Sequence, residues 1–242
     1  MAYVIYLIVV VLLTSSALIY LLCEDKLLPT PPIPDIPIKW WAAGKRPNNE
    51  ETRIKPFKVS VDADTLEDLN TRIQFDLKRL SEPLQDAAFE FGANAHFLKD
   101  FAKYWTENYD WKEQETHFNT FPQFKTNIDG LEIHFLHAKP TNSKSKKIVP
   151  LLLVHGWPGS VVEFLDIIPI LTKGNDKIAF EVIAPSIPGY GFSSAPTKKG
   201  FNALYAAKIF YTLMNRLDHD NFYAQGGDWG SMITSTVATL YP

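Results

Sequence analysis

Residues 221–241 read NFYAQGGDWGSMITSTVATLY. A short strand-like run meets two glycines, an acid, a tryptophan and a third glycine, and then passes into a helical stretch. Gly226 and Gly230, two residues to either side of Asp228, permit a sharp strand-to-helix turn that lifts the Asp228 side chain above the end of a sheet. A plainer reading of the same residues makes Asp228 only the cap of the helix, since Asp is a preferred N-cap.

Working back from that turn, strands and helices alternate. FKTNI (124–128) and LEIHFLHAK (131–139) form a hairpin around Asp129-Gly130, a pair that supplies the positive φ such a turn needs. KIVPLLLVHG (147–156), FEVIAPS (180–186) and NFYAQGG (221–227) are predicted strands. VVEFLDIIPIL (161–171), NALYAAKIFYTLMNRL (202–217) and SMITSTVATLY (231–241) are predicted helices. Such alternation specifies an α/β fold, a parallel sheet with helices on both faces and ligands at the carboxyl ends of its strands. A second unusual motif, His155-Gly156-Trp157-Pro158-Gly159-Ser160, falls at such an end, about 70 residues before Asp228. Its position matches the oxyanion loop of an α/β-hydrolase, whose backbone N–H groups converge with that of the residue after the nucleophile on one oxygen. His155 reads as a structural residue of the loop, and Trp157 as both amide donor and pocket wall.

Upstream, Leu66, Leu69, Ile73, Leu77 and Leu80 recur at helical spacing between Asp64 and Leu80. A second helix is predicted over 95–108 and a shorter one after Trp111. These aromatic-rich helices are expected to serve as core packing, and His96 and His117 lack metal-like partner spacing. No metal and no cofactor is expected.

Residues 2–22 carry no charge and would extend roughly 30 Å as a helix, so residues 1–23 are read as a single transmembrane anchor. A cleaved signal peptide ending near Ser15 and Ala17 is the competing reading. Lys26 and Lys39 on the far flank favour a cytosolic main domain. Cys23 is either a lipidation point or simple packing. Prolines 29, 31, 32, 34 and 37 make residues 24–39 a stiff linker. Trp40 and Trp41 then sit either at the membrane interface or on the following domain. A net charge of -3 gives no basis for nucleic-acid binding, and a single Cys excludes an intrachain disulfide.

HGWPGS, APSIPGYGFS (184–193), GGDWG (226–230) and the upstream WWAAG (40–44) together resemble the microsomal type of epoxide hydrolase, including the insect juvenile hormone epoxide hydrolases. The resemblance covers essentially the whole chain. It implies an α/β-hydrolase core over 122–242, preceded by the family's helical amino-terminal segment over 40–121. An epoxide is opened at a saturated carbon, which suits an already ionised carboxylate better than a serine. Asp228 is the implied nucleophile, and the amides of Trp157 and Trp229 are the candidate oxyanion donors. Trp157, Tyr190 and Trp229 are expected to line the substrate pocket. The implied partners are a small lipophilic epoxide, which includes juvenile hormone or xenobiotic epoxides, water, and membrane lipid through residues 2–22. The implied location is the endoplasmic reticulum membrane.

The resemblance also implies two lid tyrosines and a His with an acidic partner after the nucleophile. Fourteen residues follow Asp228, with no His, Asp or Glu and one Tyr among them, and all six histidines come before it. The chain is therefore read as a carboxyl-terminally truncated member, its lid and last strands missing. The alternatives are a catalytically inactive isoform or membrane-bound binder, and a haloalkane dehalogenase, which shares the Asp turn.

Overall fold

A computed structural model describes residues 3, 6, 10–15, 18, 19, 36–141 and 147–242. The chain divides into two compact units, 1–37 and 38–242. In the first, residues 10–15 are helical and exposed. Most of the predicted anchor, with Cys23 and most of the proline-rich linker, lies outside the described residues. Among the described residues no helix is long and apolar enough to cross a membrane.

The second unit is built on one six-stranded sheet. Its strands are β1 (Lys55–Phe57), β2 (Gln123–Ile128), β3 (Leu131–Ala138), β4 (Lys147–Val154), β5 (Ile178–Pro185) and β6 (Tyr223–Gly226), in the order β1-β2-β3-β5-β4-β6. The helices are α1 (Ala63–Leu77), α2 (Ala95–Asn108), α3 (Trp111–Phe118), α4 (Ile167–Lys173), α5 (Ala203–Arg216) and α6 (Trp229–Leu240). The sheet is mixed, with the expected hairpin joined to the expected parallel part. Only β5, β4 and β6 run parallel, whereas β1, β2 and β3 are antiparallel to their neighbours, β3 pairing antiparallel with β5. The Asp129-Gly130 turn, at φ 51° and 87°, forces β2 against β3 head to tail. β1 is too short to carry a period-2 signal, and it joins the sheet through β2.

Strand alternation sorts the core into two faces. Leu136, Ala138, Leu151, Leu153, Val182 and Ala184 pack with Val161, Phe164, Leu165 and Ile168 on one side. Ile133, Phe135, Leu152 and Ile183 have the opposite parity and are fully buried, as are Ile209, Phe210 and Leu213 of α5. The predicted helix over 161–171 is broken into a 3₁₀ turn, Val161–Phe164, and α4. Pro169 has no N–H to return to the Leu165 carbonyl, so a continuous helix would leave that carbonyl unpaired.

The expectation that the amino-terminal helices serve as core packing holds for α3, whose Phe118 joins the core, and is corrected for α1 and α2, which bury no residue. They face each other across Gln74 and Thr106, joined at 3.4 Å. Phe97, Phe101, Trp105 and Tyr109 of α2 and its cap run as a ladder of ring contacts 5.7–6.2 Å apart, with Phe97 and Phe101 about half exposed. Four-residue spacing brings such rings into register with one another whether or not anything covers them. Trp41, by contrast, is fully buried against Phe201 and Tyr205, which places it on the domain.

Candidate active site

β4 and β6 are parallel neighbours in register, Val154 opposite Gly226, so the loops that leave them start at the same level. The approach is close. A Cβ on Gly230 would overlap the Val154 carbonyl and lie 2.7 Å from that of His155, and one on Gly226 would overlap the Gly230 carbonyl. Glycine at both positions is what allows α6 to begin directly against the end of β4.

Asp228 takes φ 51°, ψ -124°, a left-handed conformation that side chains rarely adopt. Its carboxylate makes no cap hydrogen bond to its own helix, which removes the plain capping reading. The Asp228 carbonyl turns to the helix instead and accepts from the Ser231 N–H at 3.0 Å and the Ser231 hydroxyl at 2.6 Å. The side chain faces the other loop: the Trp157 N–H donates to Asp228 Oδ1 at 2.7 Å. The Trp157 amide, and after it the adjoining Trp229 amide, hold its pKa below the ordinary value. Gly156 makes room for this contact, because a Cβ there would stand 2.8 Å from the same Oδ1.

The surroundings are asymmetric. Asp228 is exposed, and the indoles of Trp157 and Trp229 are 66% and 46% exposed beside it. Behind the loop, His155 is fully buried. Its Nε2 accepts the Ile187 N–H at 3.0 Å, so the proton sits on Nδ1, which donates to the Gly156 carbonyl at 3.1 Å. Burial lowers its pKa. Both ring nitrogens are thus committed to backbone, and His155 acts as the strut of the loop. Tyr190 is half-buried with its ring 5.4 Å from that of His155. The structure therefore gathers Trp157, Asp228 and Trp229 directly and reaches Tyr190 through His155.

Such an arrangement presents an ionised carboxylate to an open face with a backbone N–H already bound to one of its oxygens. Gly156 and the His155–Ile187 bond are functional features that the motif reading passed over. The only signal for either was the glycine itself, following a histidine at a strand end.

Residues 54–164 match the family described as epoxide hydrolase N terminus, and residues 149–242 match the alpha/beta hydrolase fold. Epoxide hydrolase 1 of Sus scrofa is 49% identical over 210 residues, which span 84% of this chain and 46% of that protein. Juvenile hormone epoxide hydrolase of Bombyx mori is 42% identical over 234 residues, 96% of this chain and 50% of that protein. The crystal structure of the silkworm enzyme superposes with a TM-score of 0.78 at 43% identity, covering 85% of this chain and 54% of that one. The epoxide hydrolase of Aspergillus niger superposes with a TM-score of 0.66 at 34% identity, covering 78% and 50%. The chain spans about half the length of the curated relatives it matches. Since the first family match carries the amino-terminal helices with β1, β2 and β3 and the second carries β5, β6 and the Asp turn, the chain belongs to the epoxide hydrolase family and is built on the α/β-hydrolase fold.

Proposed function

We propose that this chain opens lipophilic epoxides through an ester on Asp228, the route to a diol. The observation that carries the reading is the amide contact on the carboxylate, Trp157 N–H to Oδ1 at 2.7 Å. One carboxylate oxygen attacks a ring carbon, the C–O bond of the epoxide breaks, and the departing oxygen takes a proton from an acid. Water then gives a proton to a base, which later returns it to the leaving alcohol oxygen, and adds to the Asp228 carbonyl carbon. The negative charge of the tetrahedral intermediate collects on the oxygen facing the Trp157 and Trp229 amides, donors already in place before the charge develops. Collapse releases the diol and restores the carboxylate. The lowered pKa of Asp228 supports the first step, because the nucleophile is ionised at neutral pH.

Trp157, Trp229 and Tyr190 supply the apolar rings of the substrate face in this reading. The relatives named for juvenile hormone support a hormone epoxide as the substrate, and the epoxide hydrolase 1 relatives support an epoxide without naming which. The amino-terminal family match favours epoxide over halide chemistry. The uncharged run 2–22 supports a membrane anchor, and Lys26 and Lys39 support placing the main domain on the cytosolic side of the endoplasmic reticulum. Resistance to alkaline extraction from microsomes, lost on deletion of residues 2–22, tests that placement.

The chemical test traps the ester. The detergent-solubilised 242-residue chain, incubated with an aryl epoxide and quenched in acid, should gain the mass of one epoxide, mapped to the peptide bearing Asp228. Asp228→Asn should gain none. Absence of the adduct in the unaltered chain, or an equal adduct in Asp228→Asn, overturns the reading.

A further inference from the structure

Away from the Asp228 turn, three side chains meet on the sheet face of α5 parity. His137 lies on β3 and Glu181 on β5, in a register that sets His137 opposite Ile183 and so makes Glu181 its diagonal neighbour on the same face. His219 comes from the end of α5. There Asp218 adopts φ 63°, and the His219 N–H closes on the Met214 carbonyl at 3.0 Å, a six-to-one bond that fixes where the His219 side chain leaves the helix. The three side chains are 12%, 17% and 14% exposed. His137 Nε2 lies 2.6 Å from Glu181 Oε1, His219 Nε2 lies 3.5 Å from the same oxygen, and one ligand atom of each falls within 4.8 Å of the others.

We propose that His137, Glu181 and His219 form a binding site for a divalent transition-metal ion of the Zn²⁺ class, which ties the end of α5 to β3 and β5. An imidazole–carboxylate pair accounts for His137 and Glu181 alone. It does not account for His219, whose Nε2 is buried, points at an oxygen already engaged by His137, and makes no hydrogen bond. A buried nitrogen lone pair or N–H left in this way carries a desolvation cost that a bound cation removes. Two imidazoles and one carboxylate select for zinc-like ions over calcium or magnesium, which prefer oxygen ligands. Bonds of about 2.1 Å place tetrahedral ligands about 3.4 Å apart, so the His219–Glu181 spacing already fits and the His137–Glu181 spacing needs to open by about 1 Å. Three protein ligands leave a fourth position for water. The site is separate from the proposed chemistry, because β4 stands between β5 and β6, the strand that leads into the Asp228 turn.

The test uses the 242-residue chain stripped with chelator and titrated with Co²⁺ as the spectroscopic probe, then with Zn²⁺ in competition. The expected result is saturable uptake of one equivalent with visible absorption of a tetrahedral or five-coordinate ion, displaced by Zn²⁺, and a higher melting temperature in excess Zn²⁺. His219→Ala, at a helix end outside the sheet, should weaken binding at least about 100-fold and abolish the thermal shift. Glu181→Gln, which keeps the side-chain volume, should do the same and serves if His219→Ala fails to fold. His96→Ala, an exposed histidine elsewhere, should bind like the unaltered chain. Absence of one-equivalent uptake, or uptake undiminished in both site variants, overturns the proposal.

Discussion

At the residue scale the site is made by omission of Cβ atoms as much as by functional groups. Asp228 can stand at φ 51° with its carboxylate against the Trp157 amide because the backbone around it closes to distances that only glycine tolerates. Gly230 and Gly227, three residues apart, make a contrasting pair. Alanine at 230 would drive a methyl into the Val154 and His155 carbonyls, whereas a Cβ at 227 meets nothing within 4 Å. We expect Gly230→Ala to cost about 2–4 kcal/mol in urea unfolding and to abolish adduct formation, and Gly227→Ala to stay within about 1 kcal/mol of the unaltered chain. Equal losses at the two positions would show that packing is not what glycine serves here. This part of the site was legible in the sequence because strand, glycines and acid lie within ten residues. Gly156 was not, since its constraint comes from Asp228, 72 positions away.

At the scale of elements, burial separates helices that hydrophobic periodicity alone treats alike. α5 and α2 have the same length of 14 residues, and both show an apolar stripe. Phe210 of α5 is fully buried under the sheet, while Phe97 of α2 is 53% exposed. Phe210→Ala should therefore destabilise the chain by about 3–5 kcal/mol, and Phe97→Ala by less than about 1 kcal/mol, in the same denaturation assay. Spacing of apolar residues reveals the face that could be covered, but only the tertiary fold supplies a cover. That is why the element order was readable and the role of α1 and α2 was not. Strand direction had the same limit: KIVPLLLV announces a buried strand, and nothing within it tells whether the hairpin strand β3 will join β5 parallel or antiparallel. His137, Glu181 and His219 were likewise invisible, because they come from two strands and a helix end far apart in the chain.

For the molecule as a whole, the response to acid includes the cost of charging two buried histidines, His155 and His134. His134 is fully buried on β3, with Nδ1 2.9 Å from the Ser186 hydroxyl and Nε2 3.0 Å from Gln123 Oε1, and burial pushes its pKa from 6.5 down to about 3. In the unfolded chain the same ring titrates at its ordinary value. The neutral ring therefore favours folding fully above pH 6.5, and that contribution drains away as pH falls toward 3, a loss of up to about 4 kcal/mol. Stability curves between pH 7 and 4 should fall accordingly, and His134→Asn should flatten them. An unchanged slope in that variant would assign the acid sensitivity elsewhere.

The two amides on Asp228 act in the opposite sense, keeping its carboxylate charged into solutions more acidic than an ordinary aspartate would endure. On souring the medium, then, the scaffold should give way before the reactive group is neutralised. Inactivation by acid would look like melting, with a sigmoidal collapse tracking the tryptophan fluorescence, and the rate per surviving molecule would hold nearly level until few survived.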